Sequence, residues 1–432
     1  MKELPAGWAW TTLGEICDKP QYGWTSSATD EHQAYRLLRT TDLSSGTIHE
    51  QSIPYCESAP PEPDKYVVRP GDIVISRAGS VGLSALVTHD LANTVFASYL
   101  IRFRPLSNVV AQYIAYYLKS PAYWSQVNQQ AAGITLKNLN AAKLTQFSMP
   151  LPPFAEQRRI VAEIEKHLSK IDVASAELAA ILVKVGSYVA HMFERAVSEA
   201  PHTEFRRVLA APLANGRSVP TANSGFPVLR LTSIRNARVD LSERKIGAWS
   251  ARQAEPFLVT EGDLLIVRGN GSLRLVGRAG LVQEVSSQVA FPDTLIRAKL
   301  DNTVSLPAYV ARAWHTRIVR RQIEAAARTS AGIYKINQTD IENLQIPLPP
   351  RPVQEHLASA ADAIESLAAQ AHATIERSSR MATRLRQAIL HKAFTGKLVP
   401  QDPNDEPASV LLDRICAARA HSLGRAHAVR QE

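Results

Sequence analysis

The sequence has few residues that would crosslink it, anchor it in a membrane or bind a metal. Its three cysteines, Cys17, Cys56 and Cys416, are scattered and form no Cys-x-x-Cys pair. This spacing argues against a disulfide framework and a structural zinc site. The chain contains no run of about 18 apolar residues and does not open on a stretch of signal-peptide type. We therefore expect a cytoplasmic protein with no membrane partner.

Motifs for intrinsic catalysis are also missing. No glycine-rich nucleotide fingerprint and no Gly-x4-Gly-Lys-Ser/Thr loop occur. The stretch "LPPF" (151–154) is close to the Asp/Asn-Pro-Pro-aromatic motif that holds a target adenine in amino-methyltransferases. Leu151 replaces the required acceptor, and the second copy of the stretch ends in Arg351 instead of an aromatic ring. Pro292-Asp293 is not followed by the Asp/Glu-x-Lys of a nuclease. We expect no catalytic residue, no metal site and no cofactor on this chain.

The positive charge of the chain is concentrated in one segment. The formal net charge is +9, and residues 201–347 carry 20 basic against 12 acidic side chains, whereas residues 1–150 carry 12 of each. A basic surface suits a polyanion, because each neutralised phosphate releases condensed counterions. A generically basic soluble domain explains the charge equally well, so charge alone leaves both interpretations open.

Most of the chain is an internal repeat at offsets of 191–197 residues. The clearest matches are "RLLRTTDLSSGTI" (36–48) with "PVLRLTSIRNARV" (227–239), "VVRPGDIVISRAGSVG" (67–82) with "LVTEGDLLIVRGNGSL" (258–273), and "SMPLPPFAEQ" (148–157) with "QIPLPPRPVQ" (345–354). The extra residues of the second half fall in a glycine-rich stretch near Gly271 to Gly277, which is typical of a surface loop. Each half therefore predicts the same two parts, a strand-rich region and a long helix.

Local patterns predict where strands end and helices begin. β-Branched runs such as "DIVIS" and "DLLIV" follow a Pro-Gly or Glu-Gly turn and predict strands. The paired prolines predict a change from strand to helix, since the residue before a proline avoids helical angles and a proline fits the first helical turn. We predict an α+β protein with two strand-rich domains in tandem, separated and joined by two long antiparallel coiled-coil helices, with approximate two-fold symmetry.

Apolar residues at spacings of three and four predict the packing faces of the two long helices. The first helix would run from about Phe154 to Ser198, roughly 65 Å at about 1.5 Å per residue. Its predicted face consists of Ile164, Leu168, Ile171, Ser175, Leu178, Leu182, Val185, Val189 and Met192. The weaker face of the second helix consists of Leu357, Ile364, Leu367, Ala371, Met381 and Leu385. Antiparallel packing would hold two domains apart, which suits two places on one duplex, although many helical hairpins serve only as a brace.

Two loops that follow predicted strands are candidate DNA contacts, "SRAGSVG" (76–82) and "VRGNGSLRLVGR" (267–278). Glycine allows close backbone approach to a phosphate. Arginine can form two hydrogen bonds with a phosphate or with guanine, and asparagine can do so with adenine. Because the arginine recurs at the same repeat position, we favour binding over a plain hairpin with a solvated arginine. The candidates in these loops are Arg77, Gly79, Ser80, Arg268, Gly269, Asn270, Ser272 and Arg274.

A second pair of candidate loops precedes the last strand of each half. These are "GITLKNLN" (133–140) and "GIYKINQ" (332–338). They offer hydrogen-bonding groups at Thr135, Lys137, Asn138, Tyr334, Lys335 and Asn337. Capping of the following helix by Asn140 or Asn337 explains the asparagines equally well, and both roles are compatible.

The order and duplication of these motifs resemble one protein family. Each half has a strand-rich domain, a Gly-Asp-Ile/Leu-x-Ile-x-Arg loop, a Leu-Pro-Pro…Gln stretch and a long helix. Together they resemble the DNA-specificity subunit of type I restriction–modification systems, as does "LRQAILHKAFTGKLVPQDPNDEPASVLLDRI" (385–415). The resemblance covers essentially the whole chain.

The resemblance implies that different segments of the chain have different roles. It implies target-recognition domains at 1–150 and 201–347, spacer helices at 151–200 and 348–400, and a C-terminal segment at 401–432. Each domain would read one half of a bipartite target in double-stranded DNA through the candidate loop residues. The family implies two modification (methyltransferase) subunits that bring S-adenosylmethionine, and restriction (translocase and nuclease) subunits that use ATP and Mg. This chain would be the non-catalytic subunit.

Two other functions stay open from the residues alone. A protein–protein assembly adaptor would not bind duplex DNA with the steep salt dependence of phosphate contacts. A self-sufficient DNA methyltransferase or nuclease would bind S-adenosylmethionine or cleave DNA with a metal. The missing motifs argue against this second alternative.

Overall fold

The strands and helices divide between two units. The computed structural model describes residues 3–44, 46–131, 139–235, 237–330 and 332–428. The first unit consists of Met1–Glu177 with Glu376–Glu432, and the second of Leu178–Ile375. Both units mix strands with helices, which confirms the predicted α+β class. Within these described ranges, no helix has the length and apolar character needed to cross a bilayer.

The strand-rich part of the first unit is built from short elements. Its strands are Ala9–Thr12, Gln21–Tyr22, Ala28–Thr29, Arg36–Leu38, Leu43–Ser44, Thr47–Ile48, Tyr55–Cys56, Ile73–Ser76, Ser84–Leu86, Thr94–Phe96, Leu100–Phe103 and Ser148–Leu151. Its helices are Leu13–Ile16, Pro63–Tyr66, Ala111–Tyr117, Pro121–Ala131 and Ala141–Thr145, with 3-10 turns at Thr40–Asp42 and Glu50–Ser52.

The second unit repeats this plan. Its strands are His202–Glu204, Ala214–Asn215, Thr221–Leu229, Ile234–Arg235, Arg238–Val239, Arg244–Gly247, Asp263–Val267, Gly269–Asn270, Ala279–Leu281, Leu295–Lys299, Arg328–Ser330, Ile333–Lys335 and Gln345–Pro347. Its short helices are Ala251–Ala254, Pro307–Ala313, Arg317–Ala326 and Gln338–Glu342, with 3-10 turns at Phe205–Val208, Leu231–Ser233, Glu255–Phe257 and Leu273–Leu275. The long helices are Phe154–Ser198 and Arg351–Ala393, and the C-terminal helix is Ala408–Ala428.

The central sheets of the two units share strand order and register. In the first unit the order is Gln21–Tyr22, Leu100–Phe103, Ile73–Ser76, Ser84–Leu86. In the second unit the equivalent order is Ala214–Asn215, Leu295–Lys299, Asp263–Val267, Ala279–Leu281. Leu100 pairs with Ser76, and Leu295 pairs with Val267 at the same repeat positions. The sequence repeat is therefore a repeat of topology and register.

A buried glutamine joins the Pro-Pro corner of each unit to its strand-rich part. The Gln157 side chain donates to the Pro152 carbonyl (3.0 Å) and accepts from the Val110 N–H (3.0 Å), at the start of helix Ala111–Tyr117. Gln354 makes the equivalent bonds to Pro349 and Leu306, both at 2.8 Å. Both glutamines are at most 1% exposed. Their bonds satisfy backbone groups of the corner and of the following helix.

A buried aspartate fixes the turn before the central strand of each unit. Gly71 and Gly262 adopt positive φ values of 92° and 85°, which favour glycine. Asp72 and Asp263 then accept from the backbone N–H three residues earlier, at 2.9 and 2.8 Å. Asp72 also receives two bonds from Arg104 at 2.7 and 2.9 Å, and lysine takes that arginine's place at repeat position 299. Burial raises the pKa of Asp263. The shared turn thus has a stronger ionic brace in the first unit.

The long helices are antiparallel within each unit. In the first unit, Ile160 and Ile164 pack in one core with Ile389 and Leu390 near the end of the second long helix. In the second unit, Val197 shares a core with Ala358 and with Leu357. The start of one helix therefore lies beside the end of the other in both units.

The predicted packing face is right for part of the first helix and wrong for part of the second. Ile164 is buried, and Leu168 and Ile171 are half-buried against the core, whereas Ser175 and Leu178 are exposed. The side chains of Leu182, Val185, Val189 and Met192 lie outside the described residues. In the second helix Leu357, Ile364 and Ala371 are half-buried, but Leu367, Met381 and Leu385 are 62%, 62% and 48% exposed.

Alanine explains the error in the second helix. The half-buried stripe continues at spacings of three and four and consists mostly of small residues, namely Ala361, Ile364, Ala368, Ala371, Ile375, Ser378 and Ala382. Small side chains allow a neighbouring helix to approach closely, so the inner face does not need the leucines. The larger apolar residues consequently stand beside the inner face and remain exposed.

The C-terminal segment completes the first unit. The Glu156 carboxylate accepts from the Trp8 indole (3.0 Å) and from the Gln401 side chain (3.2 Å). Arg159 pairs with Asp405 at 2.6 Å, and the Ala408 N–H donates to the Gly7 carbonyl at 2.8 Å. Both ends of the chain are therefore needed to build this unit.

The glutamine brace predicts a specific loss of stability. Gln157→Ala leaves a buried N–H and a buried carbonyl without partners, so the free energy of unfolding should fall by about 2–4 kcal/mol. Urea denaturation followed by tryptophan fluorescence measures this change. Gln387→Ala, at an exposed position of the second long helix, should change it by less than about 0.5 kcal/mol. Equal effects of the two variants would contradict the brace.

The aspartate turn predicts a second stability effect. Among the described residues, Asp72 is the only carboxylate bonded to Arg104. Asp72→Ala removes it and frees the turn, so the free energy of unfolding should fall by about 3 kcal/mol. The control is Asp90→Ala, because Asp90 is exposed. A denaturation curve unchanged by Asp72→Ala would show that the sheet does not depend on this brace.

Candidate nucleic-acid interface

The two arginine loops leave the central sheet in the same way. Arg77 follows strand Ile73–Ser76, and its N–H donates to the Tyr99 carbonyl at 2.9 Å. Arg268 follows strand Asp263–Val267, and its N–H donates to the Thr294 carbonyl at 2.8 Å. The carbonyls of both arginines accept from the later candidate loop, at Leu139 (3.1 Å) and Ile336 (2.9 Å). The backbone therefore holds both arginines at equivalent places.

The two arginine side chains differ in their surroundings. The Arg77 guanidinium lies 5.0 Å from the centre of the Tyr22 ring, and its buried Nε has no hydrogen-bond partner among the described residues. Tyr22 is itself fixed, because its hydroxyl accepts from the Ala141 N–H at 2.9 Å. Arg268 is exposed and its side chain makes no hydrogen bond or ion pair with any described residue. Stacking thus orients Arg77, whereas Arg268 is free to follow a ligand.

The first arginine loop is open to solvent. Gly79 has a φ of 74°, no atom of a described residue lies within 4 Å of the position of a Cβ, and Gly79 and Ser80 are both exposed. The loop closes through the Gly82 N–H, which donates to the Ser76 carbonyl at 2.9 Å. A phosphate can approach this turn without displacing protein atoms.

In the second unit the structure joins the two candidate loops into one small sheet. Strand Gly269–Asn270 pairs antiparallel with Ile333–Lys335, which pairs with Arg328–Ser330. Asn270 therefore stands opposite Tyr334, and Gly269 opposite Lys335. A Cβ at Gly269 would lie 3.2 Å from Lys335 Cγ, so a side chain there would crowd the pair.

The remaining candidates of the second unit lie around this small sheet. The Asn270 carboxamide oxygen accepts from the Ser272 N–H at 3.0 Å, and Ser272 and Arg274 are exposed. Lys335 is exposed, and Arg274 and Lys335 form no ion pair with described residues. Unpaired cations therefore gather on one set of loops in this unit.

The asparagines at the ends of the later loops cap helices. Asn337 accepts from the Asp340 N–H at 2.7 Å, and Asn140 accepts from the Lys143 N–H at 2.9 Å. The capping interpretation is therefore right for both, and the carboxamide oxygen of Asn337 is engaged within the protein. Thr135, Lys137 and Asn138 lie outside the described residues.

Each unit also has a concavity that the sequence did not predict. The first concavity measures about 810 Å³ and is lined by Thr25, Ser26, Ser27, Ala28, Leu37, Arg39, Thr40, Thr41, Glu57, Ser58, Ala97, Ser98 and Tyr99. The second measures about 250 Å³ and is lined by Leu231, Thr232, Ile234, Arg235, Val267, Asn270, Leu275 and Arg278. One signal for the concavities was present in the sequence, because the two halves differ there. Tyr99 precedes strand Leu100–Phe103, and the second half has Thr294 at the equivalent repeat position.

Known proteins are similar in sequence to this chain over most of its length. A family model for the type I restriction modification DNA specificity domain matches residues 5–182. The chain is 28% identical over 387 residues to the type I restriction enzyme EcoKI specificity subunit of Escherichia coli (strain K12), with 83% of each chain covered. It is 26% identical over 385 residues to the StySPI specificity subunit of Salmonella potsdam, again with 83% of each covered.

Solved structures share the fold. A chain from work on complex assembly and conformational transition of the type I R-M system has a TM-score of 0.66 at 19% identity, with 92% of this chain and 100% of that chain covered. The HsdS subunit from Thermoanaerobacter tengcongensis has a TM-score of 0.54 at 19% identity, with 92% and 98% covered. With its duplicated strand-and-helix halves, the chain is similar in sequence to type I restriction enzyme specificity subunits and shares the fold of the HsdS subunit.

Proposed function

We propose that this chain selects the DNA sequence on which a type I restriction–modification complex acts, with each unit reading one half of a bipartite target. The observation that carries the proposal is the pair of arginine loops, which share one backbone geometry on two copies of one sheet. Two equivalent platforms suit two half-sites on one duplex. Arg77, Arg268 and the residues around them are the DNA-contacting groups.

The distribution of unpaired cations supports DNA as the ligand. Arg268, Arg274 and Lys335 lie on neighbouring loops and have no carboxylate partner among the described residues. Placing such groups against phosphates releases counterions and gives affinity that falls steeply with salt. Residues 1–150 carry no net charge, so the first unit would depend more on base contacts and less on phosphate contacts.

The chemistry of the complex would reside on other subunits. We assign methylation to two modification subunits that bind S-adenosylmethionine, and DNA translocation and cleavage to restriction subunits that use ATP and Mg. The exposed apolar side chains of the second long helix, Leu367, Met381 and Leu385, support a docking role for this helix. The complex would act on cytoplasmic DNA.

An assembly adaptor without DNA contacts fits these features less well. Such a protein has no need for duplicated loops that present unpaired arginines, and it would leave the orphaned Nε of Arg77 unexplained. A self-sufficient methyltransferase or nuclease is not favoured, because the chain's relatives are specificity subunits.

Loss of Arg268 should weaken DNA binding and relax one half-site. Arg268→Ala in the complex assembled with its modification subunits should lower affinity for the target duplex about 5- to 100-fold, because one arginine contact with a base or phosphate is lost. Fluorescence anisotropy over a salt series measures both the affinity and its salt slope.

The matched control is Arg69→Ala. Arg69 is exposed and lies in the turn before the central strand of the first unit, whereas Arg77 directly follows that strand. This control should leave affinity unchanged. Affinity equal to wild type in the Arg268→Ala complex would remove Arg268 from the interface.

Exposed apolar residues of the second long helix should contribute to docking. Met381→Lys places a charge where we expect a modification subunit to pack, so its affinity should fall by roughly 30-fold, as for a residue central to an interface. Thr383→Lys, two residues along and about 200° around the helix, is the control because Thr383 is also exposed. Co-purification and analytical ultracentrifugation report the result, and equal behaviour of the two variants would place the docking surface elsewhere.

A further inference from the structure

Each unit has a concavity beside its arginine loop, and we propose that the side chains lining the two concavities determine which bases are read. The inference rests on the proposed function and identifies the residues that give each half-site its sequence. We assign this role to Tyr99 and Thr41 in the first concavity and to Arg235 and Arg278 in the second.

Both concavities are built on the same repeated turn. Thr40–Asp42 and Leu231–Ser233 are 3-10 turns at equivalent positions of "LRTTD" and "LRLTS". In the first turn the buried Asp42 carboxylate accepts from the Arg39 N–H (2.7 Å) and from its guanidinium (2.9 and 3.1 Å). Arg39 is therefore committed to holding the turn. The exposed side chain that the turn presents to a ligand is Thr41.

Each concavity is continuous with the arginine loop of its unit. In the first unit Thr40 Oγ1 lies 3.4 Å from Oγ of Ser76, the residue before Arg77, and Tyr99 holds the Arg77 backbone. In the second unit the wall includes Val267 and Asn270, which flank Arg268. A duplex that contacts an arginine loop therefore lies within side-chain reach of the adjoining concavity.

Hydroxyl groups and one aromatic ring dominate the first concavity. Serine and threonine make up most of its lining, and Tyr99 is 63% exposed at its edge. Hydroxyls donate and accept equally well, so they discriminate bases weakly by themselves. An exposed ring offers an apolar surface to the methyl group of thymine. This lining favours A·T pairs in the first half-site.

The second concavity has two guanidinium groups, from Arg235 and Arg278, in a lining that is otherwise mostly apolar. Arg235 donates to the Thr232 carbonyl (3.1 Å) and to Glu243 (3.0 Å), which fix its direction while 60% of its side chain stays exposed. The side chain of Arg278 makes no hydrogen bond or ion pair with any described residue. Arginine donors match the two acceptors on the major-groove edge of guanine. This lining favours guanine in the second half-site.

One experiment separates the two half-sites. The chain is expressed with its modification subunits in cells that lack other adenine methyltransferases, and methylated sites are mapped by single-molecule sequencing. Tyr99→Ala should lower selectivity about 10-fold or more at an A·T position of one half-site and leave the other half unchanged. Arg235→Ala should lower selectivity about 10-fold or more at a guanine of the other half-site and leave the first half-site unchanged. Each variant is the control for the other, and Arg69→Ala should alter neither half.

The outcomes distinguish failure of this inference from failure of the proposed function. If both variants methylate the wild-type motif with unchanged selectivity, and that motif still requires the chain, the concavities are not the base-reading surfaces although the chain still selects DNA. If no methylated motif depends on the wild-type chain, the proposed function and this inference are both wrong.

A binding measurement decides the case in which a variant loses methylation altogether. Affinities of the purified complexes are compared between the target duplex and duplexes with one substituted base pair. A lower ratio between matched and substituted duplexes, confined to one half-site, supports the inference. Equal weakening for every duplex would overturn it, because a base-reading residue must change the ratio.

Discussion

The buried glutamine at each Pro-Pro corner is the constraint on which the rest of the structure depends. Gln157 and Gln354 each satisfy a carbonyl of the corner and an N–H at the start of a helix in the strand-rich part. The prolines set the direction in which the long helix leaves the strand, and the glutamine fixes the sheet to that helix. An arginine loop at the end of a central strand is thereby held in a defined direction relative to its helix.

The same framework carries different chemistry in its two copies. Asp72 holds Arg104 in the first unit, while Lys299 stands at the equivalent position near Asp263 in the second. The Arg77 side chain is stacked on Tyr22, and the Arg268 side chain has no partner among the described residues. The C-terminal segment belongs to the first unit. Backbone geometry is thus repeated, whereas the groups that a ligand would meet are not.

The sequence predicted those features that depend on local pattern. The first long helix has the predicted ends, Phe154 and Ser198, because the Pro-Pro corner and the apolar spacing mark them locally. The prediction that Leu367, Met381 and Leu385 belong to the packing face was wrong. Where two helices approach closely, alanine and serine fill the inner face as well as leucine does. The pairing of Asn270 with Tyr334 is a long-range contact that no local pattern encodes. Tyr99 was missed because an aromatic residue before a strand is usually part of a core.

Under the proposed function, separation of the framework from the lining lets one fold read two different half-sites. The glutamine and aspartate braces are buried, so their replacement costs several kcal/mol. Tyr99, Thr41 and Arg235 are exposed, and substitutions at exposed positions usually change stability by less than about 0.5 kcal/mol. The lining of a concavity can therefore change without loss of the fold. A change in one unit leaves the sheet, the braces and the lining of the other unit intact, so specificity can vary one half-site at a time.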